Sequence, residues 1–81
     1  MKIYCEVYKN AYPDPEFIRQ TCFEGDKESC IEFMRKLLNE LELNIECISC
    51  HSTYKGSEIG NIEASYLCID GQRYNKSWYI D

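Results

Sequence analysis

The chain has 81 residues, 44% of them hydrophobic, with seven Tyr, three Phe and one Trp and a formal net charge of −5. A chain this short holds one domain, 1–81, and buries only about 60% of its unfolded surface. It is too apolar for a disordered chain, and with no basic run longer than Arg35-Lys36 it lacks the clustered cations that release counterions from nucleic acid, so direct nucleic-acid binding is not expected.

No stretch approaches the roughly 18 continuous apolar residues of a membrane span. The first residues, MKIYCEVYKN, alternate and carry Lys2, Glu6 and Lys9 where a secretory signal would be continuously apolar, so a cytoplasmic chain is expected. Six cysteines stand at 5, 22, 30, 47, 50 and 68. In the cytoplasm thiols stay reduced and pack as small hydrophobes, which is the expectation here over a bridged framework or a metal site.

Met1 to Tyr8 places Ile3, Cys5 and Val7 on one face and Lys2, Tyr4, Glu6 and Tyr8 on the other, the alternation of a half-buried strand. Asn10 to Pro15 carries two prolines with Asn and Asp and predicts a turn. Glu16 to Glu24 admits two readings. Asp14, Pro15 and Gly25 could frame a short helix, yet Phe17, Arg19, Thr21 and Phe23 alternate with Ile18, Gln20 and Cys22, which favours a strand hairpinned to the first.

Asp26 to Leu43 is an amphipathic helix. At roughly 100° per residue Cys30, Ile31, Phe33, Met34, Leu37, Leu38 and Leu41 fall within about 160° of arc. Asp26 can cap its start, Glu28 suits the positive end of the dipole, and Glu32 stands four before Lys36. Glu40 and Glu42 sit at the wrong end of the dipole, so the last turn should fray or be held by packing.

Asn44 to Tyr54 alternates as a strand, Lys55 to Asn61 with Gly56 and Gly60 predicts a surface loop, and Ile62 to Ile69 is another strand. Asp70-Gly71 is a two-residue hairpin signal, and Gln72 to Ile80 returns. The expected fold is α+β, one amphipathic helix on a small antiparallel sheet in the order ββαβββ, or βααβββ if 16–24 is helical.

Cys47-Ile48-Ser49-Cys50-His51 matches C-x-x-C-H, the attachment pattern of c-type haem. Haem is not expected. Attachment needs an oxidising compartment, and on a regular strand residues three apart point to opposite faces. A zinc or redox module built from Cys22, Cys30, Cys47, Cys50 and His51 is the alternative reading, and it requires a knuckle in place of a straight strand. Phosphate loops, H-E-x-x-H and G-x-S-x-G are absent from the sequence, and a catalytic role is not expected.

There remains a surface. Tyr and Trp combine contact area with a polar handle, so Tyr54, Tyr66, Tyr74 and Trp78, with the helix acids Glu28 and Glu32, form the candidate binding set. The expected function is a small acidic non-catalytic binding protein, without cofactor, that meets a basic surface on a protein partner. An inhibitor of the type encoded by phages and mobile elements, covering a basic nucleic-acid-binding groove, would have this size and charge. An exposed edge strand leaves both a monomer and a homodimer open.

Overall fold

Asp26 stops the chain in an extended conformation, φ −74° and ψ 174°, and its carboxylate accepts from the Ser29 N–H at 2.8 Å, which starts the helix. The computed structural model describes residues 1–9, 16–56, 58–67 and 71–80. Its elements are β1 (Lys2–Lys9), β2 (Glu16–Glu24), α1 (Lys27–Leu43), β3 (Cys47–Lys55), β4 (Glu58–Leu67) and β5 (Arg73–Ile80). The order is ββαβββ, and residues 16–24 are a strand, as their alternation predicts.

The strands form one sheet in the order β2-β1-β5-β4-β3, every neighbour antiparallel. The first strand therefore pairs both with β2 and with β5, which welds the amino-terminal hairpin to the β3-β4-β5 meander. Registers Cys5↔Trp78, Ile62↔Trp78 and Cys50↔Ala64 align one face across four strands. That face carries Ile3, Cys5, Ile59, Ile62, Ala64, Tyr66 and Trp78, and the helix lays Cys30, Met34 and Leu41 on it to complete the core. Each large side chain fully buried there contributes about 1.5–3 kcal/mol of transfer free energy.

The helix does not cover the sheet evenly. It packs over β3 and β4 and meets β2 at Phe23, whose ring stacks on Phe33 with centroids 4.8 Å apart. From Phe17 to Cys22, β2 is exposed on both faces. At the far end Leu41 is buried, and the Asn44 N–H donates to the Leu41 carbonyl at 3.2 Å, so packing holds the last turn despite its acids.

Two expectations need correction. β3 begins at Cys47 rather than Asn44, because Asn44 turns the chain: its side-chain oxygen accepts from the Glu46 N–H at 2.9 Å and its carbonyl from the Cys47 N–H at 3.1 Å. The stretch from Lys55 is no surface loop. Lys55 pairs with Glu58 across a tight turn with Gly56 at φ +66°, and Ile59 is buried under the helix, so β4 starts at Glu58. Between β4 and β5 the last pair described is Leu67↔Arg73, with Gly71 at φ +86°. Asp70, Cys68 and the predicted turn at Asn10 to Pro15 lie outside the described residues.

Candidate docking surface

The predicted aromatic set does not form one surface. Tyr66 and Trp78 are 6% and 7% exposed and belong to the core, because the register turns both toward the helix. Tyr74 is half-buried and stacks on Tyr66, centroids 5.0 Å apart and planes 8° from parallel, with the Lys76 ammonium 5.3 Å from the Tyr66 ring centre. Burial, reinforced by the neighbouring Cys47, Tyr74, Cys50 and Cys5, pushes the Tyr66 hydroxyl up to about 12, so it neither ionises nor acts as a base near neutrality. Tyr54 is exposed at the other end of β3, beside the Gly56 turn. Glu28 and Glu32 do lie on the solvent side of α1, but Glu32 is paired with Lys36 at 3.3 Å and Arg35 lines the same surface, so the middle of the helix is mixed in charge.

A bulge changes the reading of the cysteines. The register shifts between Cys47 and Ser49, so Cys47 faces Tyr66 and Cys50 faces Ala64, and both thiols turn to the helix side of the sheet. His51 stands on the opposite face, across from Glu63. Cys22 and Cys30 belong to the other end of the molecule, donating from Sγ to the carbonyls of Ile3 (3.4 Å) and of Met1 and Gly25 (both 3.8 Å). Among the described residues no three of His, Cys, Asp or Glu converge as metal ligands, and the five described cysteines are free thiols. Burial, then Cys47 and Glu42, push the Cys50 thiol up, the opposite of what a nucleophilic thiolate needs.

On the uncovered face of the sheet, the registers line up His51, Glu63, Ser77, Glu6 and Arg19 in one row across all the strands. Beside that row Tyr4 stacks on Tyr79 at 5.6 Å, the Arg19 guanidinium lies 4.4 Å from the Tyr4 ring centre, and Tyr79 donates its hydroxyl to Glu6 at 2.9 Å. Arg19 and Glu6 are 3.8 Å apart. This cluster satisfies itself. The adjoining depression of about 360 Å³, lined by His51, Glu63, Ser65, Asn75 and Ser77, is shallow, and Ser65 is already bonded to Asn75 at 2.7 Å. The alternation in each strand marks these residues as outward-facing; only the register, which the sequence does not print, assembles them.

The feature that sequence reasoning missed is the corner between α1 and β3. Leu43 is 83% exposed and Ile45 98%, and neither contributes to the core. Glu40, Glu42 and Glu46 are exposed around them, the last turn of α1 has no basic residue, and the sequence contains no Lys or Arg between Lys36 and Lys55. The negative end of the helix dipole points to the same corner. Two large aliphatic side chains are thus presented to solvent in a stretch of chain that also exposes three carboxylates. A sequence signal existed for Leu43, which falls off the apolar arc of the helix; Ile45 gave none, because its alternation reads as part of the strand that the structure starts only at Cys47. The chain matches no protein-family model, no curated protein and no solved structure, so its function is argued from this geometry.

Proposed function

We propose that the chain is a small non-catalytic binding protein that inserts Leu43 and Ile45 into an apolar pocket rimmed by Lys and Arg on a larger protein partner. The observation that carries this reading is the near-complete exposure of Ile45, next in sequence to Glu46 and just past a helix C-terminus that carries Glu40 and Glu42 and no basic residue. A leucine and an isoleucine in water gain nothing from folding, and acids at the negative dipole end lower helix stability. Both features become favourable on a basic, apolar partner: the aliphatics supply contact area and the acids steer the encounter. A groove that otherwise holds nucleic acid is one such surface, and occupying it would make the chain an inhibitor. We place the protein in the cytoplasm, where thiols such as the five described remain reduced.

The test compares cross-linked retention of cellular proteins by the full chain and by the double variant Leu43→Ser, Ile45→Ser, after checking that both unfold at the same denaturant midpoint. A partner held by the natural chain, lost by the variant and released as salt rises supports the proposal. A partner held equally by both, or held independently of salt, rejects it. Charge reversal at Glu40 and Glu42 should slow association more than reversal at Glu28 and Glu32, because Glu32 is already paired with Lys36.

A further inference from the structure

The sheet ends in two edge strands, and they are managed differently. β3 is irregular at both ends, with register shifts between Cys47 and Ser49 and between Thr53 and Tyr54, and the helix packs beside it. Bulges and covering elements are the usual means by which an edge is kept from pairing. β2 has neither along Phe17 to Thr21: its single irregularity lies opposite Ile3 and Tyr4, near the Phe23 end. The segment contains no Pro and no Lys, and the described structure covers neither of its faces. Phe17 is 59% exposed on the open face of the sheet and Ile18 53% exposed on the helix side, where Val7 is its cross-strand neighbour.

We infer that the free edge of β2 pairs with β2 of a second copy of this chain, antiparallel about a two-fold axis through Ile18. The sequence of the strand selects both the occupant and the register. An axis through Arg19 would set two guanidinium groups against each other, and an axis through Gln20 would run the new ladder into the bulge that offsets Cys22. The axis through Ile18 sets Ile18 against its symmetry mate and extends the Val7–Ile18 pair into a continuous apolar strip. It also places Phe17 opposite the partner's Arg19 on the open face, an aromatic against a cation. Of these three registers, the one through Ile18 alone avoids both the like-charge pair and the bulge. The dimer would be a continuous ten-stranded sheet, twice the five strands of one copy, and it uses an edge separate from the α1–β3 corner. Two corners on one particle would also let it bind a repetitive partner with avidity.

Sedimentation velocity of the full chain from low micromolar to millimolar concentration tests this, alongside Ile18→Lys, Ile48→Lys on the β3 edge, and Ile45→Ser at the corner. The expected result is a reversible monomer–dimer equilibrium that Ile18→Lys weakens by about tenfold or more, while the other two variants leave it unchanged. If Ile18→Lys does not fold, amide exchange of the natural chain replaces it: protection at Phe17 to Gln20 should rise with protein concentration. A chain that stays monomeric throughout overturns the inference and leaves the β2 edge to an extended segment of another protein. A dimer broken by Ile48→Lys or Ile45→Ser instead of Ile18→Lys also overturns it, and only the Ile45→Ser result would bear on the docking corner.

Discussion

The β3–β4 side of the sheet and the β1–β2 hairpin are built from similar alternating sequence, yet they differ in what lies above them. β4 buries Ile59, Ile62, Ala64 and Tyr66 beneath Met34 and its helix neighbours, while β2 leaves Phe17 and Ile18 in water. The difference lies in the path of α1, which reaches the hairpin at Phe23 and then runs over β3 and β4. Strand propensity therefore makes both halves, but helix coverage decides which half carries the stability. The bare outer strand β2 is left with a free edge and with Phe17 and Ile18 exposed, while the covered side exposes Leu43 and Ile45 at the corner where α1 ends.

The largest break in this contrast should come from Met34→Ala or Ile62→Ala, both fully buried where helix meets sheet. Each is expected to cost about 2–5 kcal/mol in urea unfolding. Ile18→Ala, an equal or smaller truncation on the bare hairpin, should change monomer stability by no more than about 0.5 kcal/mol. A loss above about 2 kcal/mol at Ile18 would mean that the hairpin is covered after all.

A smaller effect is expected at the turns. Gly56 and Gly71 hold φ of +66° and +86° with open space where a Cβ would stand, so Gly→Ala at either should cost about 1 kcal/mol of conformational strain and nothing by collision. The Gly56 change strains the β3–β4 turn, in the covered half, and thermal unfolding would register it as a lower midpoint.

The helix cap sharpens the comparison through pH. Hydrogen bonds from Ser29 hold the Asp26 carboxyl below its ordinary range, so the unfolded chain binds its proton more readily than the folded one. The stability this supplies is present above about pH 4 and is lost as pH falls through the lower folded value. Asp26→Ala should remove that part of the acid dependence, seen as a flatter midpoint against pH below about pH 4. An unchanged acid limb would assign the dependence to other carboxylates. Least of all should Leu43→Ser with Ile45→Ser alter stability, within about 0.5 kcal/mol each, because neither side chain is buried.

Much of the fold was legible. The helix from Lys27 to Leu43 follows from its apolar arc and from Asp26, and the strand at 16–24 from its alternation and β-prone residues. Those signals are local, carried by periods of 3.6 and 2. What was not legible is non-local: the β1–β5 pairing, the offset of the helix, and the bulge that turns Cys47 and Cys50 to the same side. The candidate surface misread for the same reason. Tyr66 and Trp78 were chosen for their residue type, whereas register makes them core, and Leu43 and Ile45 stand out only once it is known that nothing covers them.

The β1–β5 pairing has a consequence for how the molecule comes into being. β5 emerges during synthesis more than sixty residues after β1, yet the two are neighbours in the middle of the sheet. Until β5 arrives, the β1–β2 hairpin is a two-stranded ribbon with both edges open, marginal on its own in water. The Tyr79–Glu6 hydrogen bond spans 73 positions of sequence, a loop whose closure must precede any reward from the contact. Folding should be slow for a chain of this size, and the nascent ribbon is the species a ribosome-associated chaperone would have most reason to hold.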